Sequence, residues 1–472
     1  MQRLPHRMRR AAPGIATAVL AIGIWFTPPP DGLPTDAWRL FAIFAAAIFS
    51  VVTNALPILT ASLVAVAAAV LSGVVAPEKA YAGFSNATIL LIVLAFLIAR
   101  AVVKCGLGAR IGHGLVAIFG RSTLGLSYSI FLVDAAIAPA FPSNTARSGV
   151  LYPLAVSLAE AAGAKPGDPS RRRLGSFLMF SGIASLALSS ALWLTAMAGN
   201  PLGSALARNA GVEIGFGSWL IASSLPTLVA MALTPLALYL LIKPEVTTTP
   251  HAPAAARQAL RALGPLTRDE RVVAGTCVVM VALWALAATF DIDSTAVAFL
   301  GLTVLLVTGV LSLKDVEGQG DVLAIYLWFA ILFTLSSQLE QLGFMAWLGG
   351  GMSSALEGLP AIVVAVVLLV AYVLLHYLFV SQTAHLLALF GVFVDVGVRL
   401  GVPAAPLACL LLFSTDFFSA ITPQGSSSNL LFAGSGYLSQ GELYRLGAIT
   451  TAFSLLVYLI VGIPWLLLVV GR

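Results

Sequence analysis

Apolar residues run in blocks too long for the core of a water-soluble domain. Ala12–Phe26, Thr88–Leu97, Val272–Thr289, Ala361–Leu375 and Ala448–Val470 are almost free of charge, and a helix crosses a bilayer with about 20 such residues. Strand-like alternation is absent. Lipid tolerates only helices or closed barrels, because every backbone polar group there must be paired internally. The pattern therefore predicts an all-α polytopic membrane protein with about 11 transmembrane helices, at 11–27, 36–54, 57–75, 86–103, 174–210, 218–242, 272–290, 294–312, 324–341, 404–437 and 446–470. Those at 174–210 and 404–437 carry polar interruptions. Two further apolar blocks, 123–163 and 360–400, are each long enough to enter the membrane and return, with a polar triplet at the middle. Both are read as re-entrant hairpins.

Composition supports this class. Of 472 residues, 59% are hydrophobic and 10% charged, with a mean hydropathy of +0.99, against about 25% charged in a soluble domain. Placing the N-terminus in the cytoplasm assigns 18 of the 25 Lys and Arg to inner segments, 5 to outer ones, and leaves Arg100 and Arg147 within the membrane. Arg3, Arg7, Arg9 and Arg10 fall inside and Arg472 outside. Positive charge concentrates on the cytoplasmic side of inserted helices, so this bias supports the crossings and both returning hairpins. It puts the C-terminus of this multi-pass protein outside, and a bacterial source, suggested by the Ala- and Arg-rich composition, would put the chain in the inner membrane. No small-x-small cleavage site follows the first apolar run, which is read as a retained helix rather than a signal peptide. Cys105, Cys277 and Cys409 are isolated and give neither a disulfide framework nor a metal spacing.

The two halves resemble each other. Lys104-Cys105-Gly106-Leu107 is echoed by Gln341-Leu342-Gly343-Phe344, and Pro142-Ser143-Asn144-Thr145-Ala146-Arg147 by Val380-Ser381-Gln382-Thr383-Ala384-His385. The predicted topology makes these halves inverted, the arrangement by which secondary transporters build a midplane site. Residues 1–83 are N-terminal scaffold helices, 84–242 the first inverted repeat, 243–271 a cytoplasmic linker with an amphipathic run at Ala254–Leu263, and 272–472 the second repeat.

Four elements, two hairpin tips and two helix breaks, converge on one predicted polar pocket. A tip exposes the free N–H groups and positive dipole end of its second arm, which favour an anion. Ser143, Asn144, Thr145, Ser381, Gln382 and Thr383 would add hydroxyl and amide donors, and two facing tips suit a ligand with a carboxylate at each end. The same residue types are ordinary helix N-caps, which is the alternative for each triplet. The breaks contribute Asn200 from the first, and Thr422, Pro423, Gly425 and Asn429 from the second. Arg147 and His385 occupy matching positions past the triplets. Arg147 is either a counter-charge for the anion or half of an ion pair with Asp134 or Asp416, and His385 is either a counter-charge or a packed core histidine. Asp134, Glu340, Asp395 and Asp416 are further acids in or near the membrane, each a functional candidate by its position. His376 and Tyr377 precede the second tip and are expected to pack or hydrogen-bond.

At these residues the sequence resembles the divalent-anion/sodium symporter family of dicarboxylate and citrate transporters, and within it the branch of citrate/succinate and oxoglutarate/malate exchangers. The similarity spans about Phe84 to Leu467, carried by the segment Ala138–Arg147 (APAFPSNTAR), the segment His376–His385 (HYLFVSQTAH) and Gly434-Ser435-Gly436-Tyr437. The resemblance implies a homodimer with scaffold and transport parts, working by an elevator movement. It implies that Ser143, Asn144 and Thr145 bind one carboxylate and that Ser381 and Thr383 bind the other. Gln382 stands where Asn is usual. Sodium-coupled relatives carry a hydroxyl residue four positions before each triplet, where this chain has Pro139 and Tyr377. Arg147 and His385 would then supply positive charge in place of bound sodium.

The expected function is secondary transport of a di- or tricarboxylate anion by exchange. Its partners would be a small anionic substrate and membrane lipid, with no nucleic acid, no cofactor and no firm metal site. Sodium-coupled symport is the alternative, with sodium ions near Ser143 and Asn144 or on backbone carbonyls at the breaks. A passive anion channel fits the paired hairpins less well. A remote alternative is an intramembrane aspartyl protease, from the Gly318-Gln319-Gly320-Asp321 string. Two acids would be needed there, and no second acid motif precedes it. The sequence has no phosphate-loop lysine motif and no H-E-x-x-H string, so nucleotide and zinc chemistry are not expected.

Overall fold

A computed structural model describes residues 6–318 and 320–471, with side chains from residue 12 onward. Arg3, Gln319 and Arg472, and the side chains of Arg7, Arg9 and Arg10, lie outside the described residues. Among the described residues the chain is helical throughout, and the only β-type pairing is an isolated bridge between Ser122 and Thr248.

Ten helices among the described residues are long and apolar enough to cross a membrane. Two of them, Thr123–Ala140 and Ala361–Leu378, are the first arms of the predicted hairpins. Two expected crossings are shorter apolar helices, Ile58–Leu71 and Ser294–Val307, and the first expected crossing lies within the helix His6–Phe26. The spans expected at 57–75 and 294–312 stop early for one shared reason. Gly73 (φ 74) and Gly309 (φ 75) turn left-handed, and Val75 N and Leu311 N donate back to Ala69 O and Leu305 O. Glycine adopts that conformation without the Cβ clash that other residues meet, which makes it a common helix terminator.

The hairpins are present as helix pairs. Thr123–Ile137 returns as Asn144–Ala161, and Ala361–Leu375 returns as Gln382–Arg399. Both interrupted helices are broken where expected. Gly175–Leu192 gives way to a short turn before Gly199–Ala207, and Ala404–Phe417 to another before Ser427–Ala433. Every residue of Gly175–Leu192 is buried. That helix forms the axis of the molecule, touching both arms of the first hairpin, Phe216–Ile242 and Ala404–Phe417. Its many Ser, Gly and Ala residues allow this close approach, as small residues do wherever helices meet in lipid.

Two helices appear that the apolar pattern did not predict. Leu107–Phe119 and Phe344–Ser354 each follow a left-handed glycine, Gly106 (φ 79) and Gly343 (φ 84). They link the preceding long helix to each hairpin. The echo noted around these glycines is therefore a matched helix–turn–helix corner. The match continues upstream of residue 84. Asn54 (φ 55) and Asp291 (φ 53) turn left-handed at equivalent points, ahead of Gly73 and Gly309.

The linker is pinned rather than free. Its helix, Ala252–Ala262, lies against Leu107–Phe119. Arg110 reaches Glu270 at 2.6 Å and the Gly264 carbonyl at 2.9 Å. The helix expected at 272–290 starts at Arg268, where Thr267 and Glu270 cap each other's backbone.

Candidate site between two hairpin tips

Each hairpin tip is built by the same local chain path. The first arm ends in a tight turn, Ala138–Ala140 or His376–Leu378. Phe141 and Phe379 are extended, and Ser143 and Ser381 then cap the second arm. Ser143 Oγ accepts from Ala146 N at 3.2 Å and Ser381 Oγ from Ala384 N at 3.3 Å. The capping alternative is therefore realised at both serines. It does not use up the residue, because a hydroxyl that accepts one hydrogen bond still has its own proton to donate. The first-turn N–H groups of Asn144, Thr145, Gln382 and Thr383 have no acceptor within their helices.

The tips meet. Asn144 Nδ2 donates to Gln382 Oε1 at 3.3 Å. Gln382 Nε2 in turn donates to the Thr415 carbonyl at 2.8 Å. The extra methylene of Gln382, where Asn is usual, lets one side chain touch both the opposite tip and the end of the second broken helix. Thr145 Oγ1 lies 2.6 Å from Ser427 Oγ, joining the first tip to the second break.

A cavity of about 210 Å³ opens between them. All six triplet residues line it, from Ser143, Asn144 and Thr145 on one side to Ser381, Gln382 and Thr383 on the other. Apart from the second break, whose polar run 419–429 was expected to face the pocket, the rest of its wall was missed by the sequence reading. Met197 and Ala198 come from the first break, Ser426 and Ser427 from the second, and Phe96, Ile325, Trp328 and Phe329 from two neighbouring long helices. Ser426 and Ser427 adjoin the predicted Gly425, so the polar run 419–429 was a usable signal. The aromatic residues sit mid-helix in ordinary apolar stretches and carried none. A larger cavity of about 450 Å³ borders Pro139 and Trp193. Its lining is almost wholly apolar, so it offers an anion nothing.

The predicted break residues do not line the small cavity. They close the breaks instead. Asn200 Nδ2 donates to the carbonyls of Ser190 and Trp193 at 2.9 and 3.3 Å. Asn429 Nδ2 donates to those of Ser419 and Thr422 at 2.7 and 3.2 Å. The sequence separations, 10 and 7 residues, are identical in the two halves. Each asparagine satisfies carbonyls that the interruption orphans, and an unpaired backbone group in lipid costs several kcal/mol. Gly425 O accepts from His376 Nε2 at 2.9 Å. Thr422 and Pro423 stay in the turn, and the buried Thr422 hydroxyl has no partner.

Arg147 and His385 lie behind the tips, both fully buried. Arg147 makes the ion pair with Asp134, at 3.0 Å. It also donates to Ser189 and Ser190 Oγ at 2.5 Å each and to Asn144 Oδ1 at 2.6 Å. It thus fixes the orientation of a cavity-lining side chain without lining the cavity itself. The residue matching Asp134 in the second half is Tyr372, whose ring meets His385 edge-on with centroids 4.3 Å apart. An ion pair in one half is replaced by an aromatic pair in the other. His385 also packs on His376, Phe379 and Phe418. Of the other acids, Glu340 accepts from Asn209 and Asp395 from Arg399. Asp416 alone of the four is without a partner among the described residues. The described residues hold no group of three or more His, Cys, Asp or Glu placed to bind a metal.

Comparison with known proteins places the chain among membrane transporters. The chain is 38% identical to YflS of Bacillus subtilis (strain 168), a protein named as a malate transporter, over 97% of this chain and 96% of that one. It is 38% identical to the chloroplastic dicarboxylate transporter 2 of Spinacia oleracea over 93% of this chain and 78% of that one. The citrate/succinate antiporter of Escherichia coli (strain K12) is 32% identical over 94% and 96%. A solved structure, the Alcanivorax borkumensis YdaH transporter, superposes with a TM-score of 0.58 at 15% identity, covering 98% of each chain, and supports the fold. These relatives are transporters, and the protease alternative suggested by the Gly318–Asp321 string is set aside. The sodium:sulfate symporter transmembrane region model matches residues 9–471, and the chain is a membrane transporter belonging to that family.

Proposed function

We propose that the chain is a secondary transporter of a di- or tricarboxylate of the succinate, malate, oxoglutarate or citrate class, and that it works by sodium-independent exchange. The observation that carries this reading is the single cavity lined by both tip triplets. Two helix N-termini and their hydroxyl and amide donors face one space, and each such terminus favours an anion by about 0.3–2 kcal/mol. A ligand with a carboxylate at each end draws on both. The printed names of the relatives, malate, dicarboxylate and citrate/succinate carriers, support the same substrate class.

Exchange without sodium is supported by what the oxygen atoms around the tips already do. Pro139 has no side-chain oxygen, and its carbonyl accepts the Thr195 hydroxyl at 2.8 Å. Tyr377 is 43% exposed and does not line the cavity. The break carbonyls of Ser190, Trp193, Ser419 and Thr422 are taken by Asn200 and Asn429. These particular oxygens are therefore already engaged by protein donors.

The wider reading follows the same lines. The hairpins are re-entrant and the halves inverted in the membrane, with the N-terminus cytoplasmic and the C-terminus outside. The chain forms a homodimer in the inner membrane, and hairpins and broken helices move together as an elevator. The deciding experiment is uptake of labelled succinate by purified protein in liposomes. Uptake that needs internal dicarboxylate and ignores a sodium gradient is expected. Sodium-driven uptake into empty vesicles would establish symport instead.

A further inference from the structure

Asp416 lies near the end of the helix Ala404–Phe417, just before the second break. It is fully buried, and neither carboxylate oxygen meets a donor. The contrast with Asp134 is sharp. That residue receives Arg147 Nη1 at 3.0 Å, Ser185 Oγ at 2.9 Å and Ser189 Oγ at 2.5 Å. Asn200 sits beside Asp416 but aims its amide at the Ser190 and Trp193 carbonyls.

Several charged or titratable groups face Asp416 from the surrounding elements. From the first hairpin comes Arg147, whose Nε has no acceptor. From the second comes Tyr372, with its hydroxyl 3.1 Å from Thr415 Oγ1. Tyr458, from the last long helix, is engaged with Thr227 at 2.7 Å. His376 stacks on Phe418, two residues along, and His385 packs against the same ring at a tilt. Asp134 is the ion-pair partner of Arg147.

The charge balance is simple. Asp134 and Arg147 cancel. An ionised Asp416 would leave one uncompensated negative charge directly under the second tip, because Gln382 Nε2 is held by the carbonyls of Thr415 and Asp416. That charge opposes an incoming dianion through a medium of low dielectric, where Coulomb forces are weakly screened.

We propose that Asp416 is a proton-binding site linked to the anion site: a proton from solution adds to its carboxylate as the dicarboxylate seats on the tips. No bond in the substrate breaks. Linkage is reciprocal, so the proton raises anion affinity and the anion raises proton affinity by the same factor. The loaded carrier then moves the dianion with one negative charge fewer, in both directions of exchange. This inference rests on the proposed binding of a dicarboxylate at the tips.

Calorimetric titration tests it. Succinate is added to the full-length protein in sodium-free buffer, at pH values where succinate is fully ionised. Two buffers of different protonation heat count the protons. The wild type is expected to take up about one proton per succinate, with affinity falling roughly tenfold per pH unit where uptake is complete. Asp416→Asn is expected to bind succinate with no proton uptake and a flat pH profile. Asp416→Glu is expected to keep the uptake. Succinate binding to the wild type without proton uptake overturns the proposal, whether or not the asparagine variant folds. So does undiminished uptake in Asp416→Asn, or binding that appears only when sodium is added. Failure of succinate, malate and citrate to bind at all would overturn the underlying reading of the tips.

Discussion

Replacing Arg147 with Gln separates the two roles that its position permits. In the structure the guanidinium is fully buried and held by Asp134, Ser189, Ser190 and Asn144 at 2.5–3.0 Å. Removing one partner of a buried pair leaves the other charge uncompensated, at a cost of about 3–5 kcal/mol. Arg147→Gln strands the Asp134 carboxylate with only the Ser185 and Ser189 hydroxyls. Adding Asp134→Asn removes the stranded charge, so the double variant should be more stable than the sum of the single ones by about 0.5–3 kcal/mol. Reversible unfolding in detergent, followed for all four proteins under the same conditions, reads this coupling. Succinate affinity gives the second readout. With Arg147 gone, Asn144 Oδ1 keeps only the Ser190 hydroxyl at 2.8 Å, and affinity should fall even in the stabilised double variant, though less than in Asn144→Ala. Additive stabilities would refute the ion-pair account. So would an Arg147→Gln protein of full stability that has lost succinate binding, because that is the behaviour of a direct counter-charge.

Two further predictions concern the tips and the corners. Gln382→Asn should weaken succinate binding, because the shorter amide cannot span Asn144 and the Thr415 carbonyl together; losing such a bond costs about 0.5–1.5 kcal/mol, and a binding assay showing unchanged affinity would count against the bridge. Gly106→Ala and Gly343→Ala should each destabilise by about 1–2 kcal/mol through backbone strain, since both φ values are positive and nothing stands within 4 Å of the new methyl; Gly114→Ala, in equally open space but within an ordinary helix, should not destabilise and serves as the control in thermal unfolding.

Much of the architecture could be read along the chain because lipid makes hydropathy decisive. The hairpins, both breaks and all six triplet residues came from apolar length and from polar residues where none should be. The early ends at Gly73 and Gly309 were not read, because Val74–Val75 and Val310–Leu311 continue the apolar pattern beyond the turn. Leu107–Phe119 was hidden for the opposite reason: it carries Arg110 and His113 and looks like a loop. Asn200 and Asn429 were correctly singled out for their place at the breaks, yet a side-chain amide can serve a ligand or a carbonyl equally well. Their hydrogen bonds decide for the carbonyl. The partner of Arg147 was narrowed by sequence to Asp134 or Asp416, and spacing along a broken path cannot choose between them. The aromatic wall from Phe96 and Trp328 had no signal, since a mid-helix aromatic is usual in lipid.

The bracing of the two breaks has a mechanical consequence. An interrupted helix is often treated as a joint, but here an asparagine cross-links two carbonyls on the near side of each gap. The Thr145–Ser427 and Asn144–Gln382 contacts fasten the tips to each other and to the second gap. Bending at either gap would sever several of these links together, so the inner assembly behaves as a stiff block. Compliance lies instead at the corners before the hairpins, where Gly106 and Gly343 stand in open space with left-handed backbones. Backbone amides around the corners should therefore exchange with solvent deuterium far sooner than those around the gaps, even though the gaps are where the helices are broken.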